Sequence, residues 1–543
     1  MSNIAKELIA TQQRLEADKG TYNSHCQEVA RYVIPRLDEF FSNNKTMGDK
    51  RSQYQFDSTA PLALDRFSAI ISSLVTPRGQ YWHGLSPEND ELSNNHEAML
   101  WYEAVRNKLF KLRYGSGSNF ANQIGECYQS MGAFGTGVLI VEERKAKWAR
   151  YKSSHIKEHH FMENEDGIID TNYRKYQMTA KQAAEKFGSS ALSGTINNAL
   201  EKTPEMKFDF LHVVMPNYER KSWMIDNNGM AYKSYHVDLS GNALCAKEGG
   251  FRKFPFIPLR YITSTNEIYG RSPAMTALAE IKMLNQMRKT DIKARHLAVD
   301  APILASNEAS VRKVSLKPNA ISYGTLDMNG NPLVRPWQTG NNLNASDKGI
   351  EDSRRIINDI FLVNLFQILL ETPEMTATEV LQRQQEKGDL LSPIGGSLES
   401  ESFNRLIERE LDMMANVGMF DDDGELPMPK SVKEIGGAYT VEFTSPLARM
   451  RMAGEAAGAE RTLQALIPAA QVDPTVLDAI DFDAYAQIMK KANGAPERMM
   501  KAPEVVQAIR EQRSKQQAMA QMAQAAPQVA GAVKDIAQAQ ALQ

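Results

Sequence analysis

The strongest constraint in the sequence is Pro373, which separates two stretches that each carry a helical pattern. Upstream, Ile350, Ile357, Phe361 and Leu365 recur at spacings of seven and four. The run from Ile360 to Leu370 is apolar nearly all round, the pattern of a helix packed on several sides. Proline donates no backbone N–H and biases its predecessor away from helical angles, so this helix must stop at Glu371-Thr372-Pro373. A new helix then starts at Thr376 and Glu379, a T-x-x-E capping box, with Met375 and Val380 placed as a hydrophobic staple. A cap contributes about 1 kcal/mol, so the turn is a specified feature and not a frayed end. The second helix runs through VLQRQQEK to a breaker at 388–396, which contains Ser392-Pro393 and Gly395-Gly396. A third helix follows, with Phe403, Leu406, Ile407, Leu411 and Met414 on one face and Gly418 as its stop. A helical hairpin inside a core satisfies this pattern as well as a projecting turn does.

Before this point the chain changes character twice. Residues 1–34 read as amphipathic helix, with Ile4, Leu8, Leu15, Val29, Tyr32 and Val33 on the apolar side and Pro35 as the stop. After a polar loop at 42–53, Ser58 or Thr59 is placed to cap a helix with Pro61 in its first turn, ending before Pro77. Leu64, Phe67, Ile70, Ile71 and Leu74 form its buried stripe. Further helices are expected over 91–113 and 120–131. From Val138 to Thr263 strand patterns dominate: VLIVEE, GIIDTNYRKYQM, FDFLHVVM, KSWMID, AYKSYHV and FPFIPLRYIT. Asp166-Gly167 and Asn227-Asn228-Gly229 supply turns. One helix interrupts them, with Thr179 and Gln182 as a capping box and Gly188 as its stop. The fold class is therefore α+β with mostly antiparallel strands.

Ser272 and Pro273 open a long helix to about Ala298. Lys282, Lys289 and Lys293 fall within roughly 40° of one another on a helix of 3.6 residues per turn. Arg288 and Arg295 make a second basic line, and a solvated face explains such charges as readily as a binding surface. Met275, Leu278, Ile281, Leu284 and Met287 wind around the helix at intervals of three, as suits contact with different neighbours along its length. Beyond Asp421-Asp422-Asp423-Gly424 a strand, AYTVEFTSP, precedes an alanine- and methionine-rich helical tail that Gly494-Ala495-Pro496 divides, and residues after Gln512 are low in complexity.

Several chemistries find no support. The glycines of FGTGVLIVEE enter a strand instead of leaving one, and G-x-x-x-x-G-K-[ST] is absent, so no nucleotide loop is read there. His155, His159 and His160 are the one dense metal-like cluster, but no third ligand has supporting spacing, and surface or loop histidines are expected. No catalytic, cofactor or metal residue is assigned. Cys26, Cys127 and Cys245 lie far apart without a C-x-x-C, which argues against a disulfide framework or a zinc ribbon and for a reducing, cytoplasmic origin. The longest apolar run is interrupted by Asn364 and Gln367, short of the ~20 residues a bilayer span needs, so no membrane partner is expected. With 63 basic and 66 acidic residues there is no global signature of tight nucleic-acid binding. That near balance does not exclude weaker contact with nucleic acid.

Three stretches, FDSTAPLALDRFSAIISSLVTPRGQYWHGL, IYGRSPAMTALAEIKMLNQM and ETPEMTATEVLQRQQEK, occur in the same order as similar stretches of the head-to-tail connector, or portal, proteins of short-tailed bacteriophages (podoviruses). The resemblance spans roughly residues 1–450 and is weakest in the Ala/Gln-rich tail. It implies a portal-type fold: a strand-rich wing over 1–271, stem helices at 272–298 and 346–371, and a small clip over 299–345. A tunnel loop would follow at 372–376, a return to the wing over 377–445, and a helical crown and tail over 446–543. It further implies a virion protein, assembled in the host cytoplasm as a homo-oligomeric, dodecameric ring at one capsid vertex. Double-stranded DNA would pass through the ring in packaging and ejection. Partners would be the large terminase subunit, which carries the ATP hydrolysis, tail and adaptor proteins, and capsid and scaffolding proteins. Glu371, Glu374 and Met375 would stand at the tunnel-loop tip, and Lys282, Lys289 and Lys293 would line the channel. Some relatives carry a basic residue near the place of Met375, so a methionine there implies a softer, apolar constriction with glutamates repelling DNA. Two other classes fit less well: a nucleic-acid-processing enzyme of the packaging machinery, and a non-portal scaffolding or structural protein of the capsid.

Overall fold

The computed structural model describes residues 2–41, 48–89, 92, 95–144, 147–221, 223–224, 226–245, 248–305, 308, 312, 314–315, 317, 319–337, 343–365, 388–434, 436–495, 499–501 and 505–519. They form an α+β architecture of two compact units. The first comprises Met1–Leu74, Asn119–Val380 and Pro393–Arg409; the second Val75–Ser118, Leu381–Ser392 and Glu410–Gln543. No helix among the described residues is long and apolar enough to cross a membrane.

Two antiparallel sheets form the strand-rich part of the first unit. One orders Phe256–Arg260, Thr136–Arg144 and Lys147–Ser154. The other orders His159–Glu163, Ile169–Thr179, Lys207–Pro216, Tyr232–Asp238 and Ala243–Leu244, with Gly249–Phe251 also paired to Tyr232–Asp238. The period of two sorts the side chains. Tyr173, Leu211, Val213, Tyr235 and Val237 pack with Ala5 and Leu8 of the helix Ser2–Asp18. Tyr176, Phe208 and Phe210, on the other face, pack with Ala180, Ala183 and Ile196. Thr179 and Gln182 form the expected reciprocal cap of the helix Ala180–Phe187, and Gly188 ends it at φ +82°.

Where the sequence leads into the long helix, backbone replaces side chain. Gly135 ends the helix Phe120–Phe134 at φ +79°, and a Cβ there would lie 1.9 Å from the carbonyl oxygen of Gly270. Thr136 Oγ1 accepts from the Gly270 N–H, and the Gly135 carbonyl accepts from Tyr261 N–H. These glycines serve a chain crossing.

Several expectations are corrected. KSWMID is not a strand: its described residues lie in a turn closed by the 3-10 segment Asn227–Gly229, which Asp226 caps. Residues 1–34 are two helices, Ser2–Asp18 and Gly20–Val33, because Lys19 buries its ammonium on the carbonyls of Ile156 and His159. The side chain capping the helix Thr59–Val75 is that of Asp57, which accepts from Thr59 N–H at 2.8 Å. Of the three histidines, His155 lies half-buried in a loop as expected, but His159 and His160 are not surface or loop residues. His159 and His160 open a buried strand, and His155 caps the 3-10 turn Ile156–Glu158. An imidazole is buried at low cost when it is neutral, hydrogen-bonded and stacked. His159 has the Asn172 amide at 3.0 Å and the Phe161 and Phe256 rings beside it. Among the described residues no three His, Cys, Asp or Glu could hold a metal ion. The three cysteines are free and buried.

The breaker expected at 388–396 is helical instead. The helix carrying Pro393 continues into a π-helical segment, Leu398–Phe403, and on through Asn404–Asn416. The wider π winding aims Ser402 Oγ at the Pro258 carbonyl, 2.6 Å away, and Glu401 at Arg260, 2.9 Å away. Arg260 also pairs with Glu163, so tertiary contacts hold a stretch that local propensity disfavours.

In the second unit His83–Pro87 pairs with Tyr439–Phe443, and Asn95 caps the helix His96–Arg113 by accepting from Ala98 N–H. That helix ends on a fully buried ion pair. Arg113 donates to both carboxylate oxygens of Glu410, lies over the Trp82 ring and donates to His83 Nε2 at 3.0 Å. Burial, and then the Arg113 charge, hold His83 far below its ordinary pKa, as a neutral acceptor. Removing one partner leaves a buried charge uncompensated. Glu410→Ala is therefore expected to destabilise this unit by about 3–5 kcal/mol, and Arg113→Met with Glu410→Leu to recover most of it. Denaturant unfolding, with hydrogen exchange followed over 96–113, measures both.

Candidate functional site

The helix Pro273–Val299 spans about 40 Å at the usual rise per residue. Its start is tied down: Ser272 Oγ accepts from Met275 N–H at 2.9 Å and donates to the Ala133 carbonyl at 2.8 Å. Met275, Leu278, Ile281 and Leu284 are buried as their spacing predicts, after which burial fades. The helix Leu343–Ile360 returns alongside, with Ile350 and Ile357 buried. Gly349 faces Met287, where a Cβ would lie 3.0 Å from the methyl carbon.

Polar residues fix the register of this pair. Asn285, buried within the apolar line, accepts from the N–H groups of Phe56 (2.7 Å) and Asp57 (3.2 Å). Asp57 in turn receives Arg354 from the returning helix, at 2.6 Å. Burial alone would raise the Asp57 carboxyl, but its hydrogen bonds to Thr59 and Arg354 hold it below the ordinary range. Farther along, buried Asp291 binds Arg288 and Arg295, each at 2.9 Å, and Arg295 also pairs with Asp347. The contacts 285–57–354 and 295–347 set the helices antiparallel. The second basic line, Arg288 and Arg295, is thus matched by acids.

The three lysines are exposed, and they differ. Lys282 pairs with Glu28 at 2.6 Å, which holds its ammonium above the ordinary pKa. The ammonium of Lys289 lies 5.2 Å from the centroid of the Phe56 ring. Lys293 has no acidic partner among the described residues. Glu371, Glu374 and Met375 fall outside the described residues, as do the capping box at Thr376 and Glu379 and the staple residue Val380. The described part of the run from Ile360 departs from the expected continuous helix. The helix stops at Ile360, and Leu362 is left-handed at φ +62°. Asn364 there donates to Asp359 at 2.6 Å, giving the break a local polar partner.

Sequence reasoning missed Asp57, Asn285, Asp291 and Arg354. Asp291 was findable, since it stands three residues after Arg288 and four before Arg295. Asn285, a lone amide next to the apolar line, was a weaker signal. No sequence pattern joins Asp57 to Arg354.

The family model described as "Bacteriophage head to tail connecting protein" matches residues 5–500. The portal protein of Salmonella phage epsilon15 is 27% identical over 541 residues, covering 97% of this chain and 95% of its own. The probable portal protein of Bordetella phage BPP-1 is 27% identical over 522 residues, covering 95% and 92%. A chain from the virion of a native gene transfer agent particle superposes with a TM-score of 0.32 at 11% identity over 76% of this chain and 99% of that one, too low a similarity to place any residue. With the family pattern running over most of its length, the chain belongs to the bacteriophage head to tail connecting proteins, structural and non-enzymatic components of the virion at the head–tail junction.

Proposed function

We propose that the chain is a portal subunit whose copies close into a ring, a dodecamer by family resemblance, at one capsid vertex. The ring is a conduit for double-stranded DNA in packaging and ejection, a docking platform for the large terminase subunit, and later an attachment point for tail and adaptor proteins. Residues 1–271 act as the wing, the helices of 272–298 and 346–371 as the stem, 299–345 as the clip, 372–376 as the tunnel loop and 446–543 as the crown.

The observation that carries this reading is the segment joining the two long helices. Ile303–Ala305 pairs with Val334–Pro336 in a two-stranded ribbon whose residues are exposed or half-buried. Val299 (91%), Ile321 (76%), Tyr323 (80%) and Met328 (106%) stand open to solvent around it. An isolated ribbon is at best marginally stable in water, and large apolar side chains left this open favour association. Neighbouring copies in a ring supply the missing cover. Purified protein without nucleic acid is therefore expected to run as a closed oligomer in native mass spectrometry at micromolar concentration; a stable monomer there counts against the ring.

The lysines supply a sliding surface in this reading, held to weak contact by pairing and screening. Changing Lys282, Lys289 and Lys293 together to glutamine is expected to alter DNA packaging or retention while the ring still forms. Failure to assemble would place that stripe against a neighbouring subunit. The tip at Glu371, Glu374 and Met375 is read as the constriction. Met375→Ala removes a staple contact worth at most about 1 kcal/mol, so assembly survives and genome retention falls. Virions with normal DNA content and normal ejection in Met375→Ala and in Glu374→Ala would reduce this turn to a plain helical hairpin.

A further inference from the structure

Four side chains stand in one cross-strand row through the larger sheet. The register pairs His159 with Arg174, Arg174 with His212, and His212 with His236, so all four project to one face. His159, Arg174 and His212 are buried and His236 is half-buried. The His212 and His236 rings stack with centroids 4.1 Å apart. Phe256 packs on both His159 and His212, and Phe187 on His236.

The charges facing this row are mostly positive. Arg174 is permanently charged and pairs with Glu158 at 2.9 Å. Lys186 acts on His212 and His236, Lys19 and His160 act on His159, and Lys152 faces Arg174. Glu142 acts on Lys152 and Lys186, and Arg409 lies over Phe251, which tilts onto His212. Asp238, on the same face two residues beyond His236, is turned to the N–H and hydroxyl of Ser240. His212 Nε2 has the Ser234 hydroxyl at 3.0 Å, whereas His159 Nε2 and His236 Nδ1 are buried without a hydrogen-bond partner among the described residues. Asn172 donates to His159 Nδ1, so a proton added there faces an amide N–H, and one added at His236 Nδ1 meets no acceptor among the described residues; both rings have a guanidinium or ammonium nearby.

We propose that this row is a proton-operated latch: three neutral imidazoles hold four strands together around one guanidinium, and protonating them parts the strands. Burial first, and then Lys186 and Arg174, push His236 down to about 3, and burial with neighbouring cations puts His159 and His212 far below their ordinary value. An unfolded imidazole titrates near ~6.5. Below that pH the unfolded state holds more protons than the folded one, so the stabilisation is complete above about 6.5 and is lost as pH falls toward the folded values.

The test uses the full chain and a double variant, His212→Phe with His236→Phe, which keeps a stacked pair without basic nitrogens. Hydrogen exchange over 169–179, 207–216 and 232–238 is compared at pH 7.5 and 5.0, corrected for intrinsic exchange. The wild type is expected to lose about tenfold or more of its protection in these strands at the lower pH, and the double variant to lose about tenfold less than the wild type, its remaining loss coming from His159, His155 and His160. His160→Gln, which removes one buried imidazole from the opposite face, should relieve less of the loss than the double variant does. Equal loss in wild type and double variant, or no loss in the wild type, overturns the latch. If the double variant does not fold at pH 7.5, the wild-type denaturation midpoint against pH decides: uptake of fewer than one proton on unfolding between pH 7 and 5 overturns it.

Discussion

The first unit depends on a backbone crossing that leaves no room for a side chain. Gly135 and Gly270 meet with a carbonyl oxygen where a Cβ would stand. From that crossing depart the strand Thr136–Arg144, the segment after Phe256–Arg260 and the helix Pro273–Val299. Ser272 then binds the end of the helix Phe120–Phe134 through its hydroxyl. A larger residue at either glycine would push apart elements that converge here, so the close approach helps fix the mutual placement of sheet, short helix and long helix.

Much of this was legible because local and tertiary signals agree. The helices Ala180–Phe187 and Pro273–Val299 carry caps, apolar periods and stops that point the same way, and with Thr59–Val75 they formed close to their expected bounds. The strands Thr136–Arg144, Ile169–Thr179 and Lys207–Pro216 followed from alternation. Lys147–Ser154 and His83–Pro87 were hidden, since charged or short sequences become strands only when a partner supplies the other half of the ladder.

Other features needed packing information that a sequence does not carry. Pro393 and its flanking glycines read as a breaker, yet that stretch is helical, and Gly388 is there because Met450 lies where its side chain would go. Leu362 has no sequence signature of a left-handed residue, so the run from Ile360 read as unbroken helix. The spacing of Lys282, Lys289 and Lys293 was legible, but Glu28 and Phe56, which meet two of them, are far away in the chain. Burial of His159 and His160 was invisible because histidine is as common at surfaces as in cores.

The long helix is fixed at one end and open at the other, which makes it a mechanical lever. Its base is clamped by Ser272 and the buried residues through Leu284, while Leu297 and Val299 at the far end stand in solvent. For a rod of about 40 Å, a tilt of about 5° at the clamp sweeps the tip by roughly 3 Å. The far end is thus held by the clamp at the base together with the returning helix, through Arg354 and the Arg295–Asp347 pair, and a small loosening at the crossing is read out amplified only as far as that pairing yields.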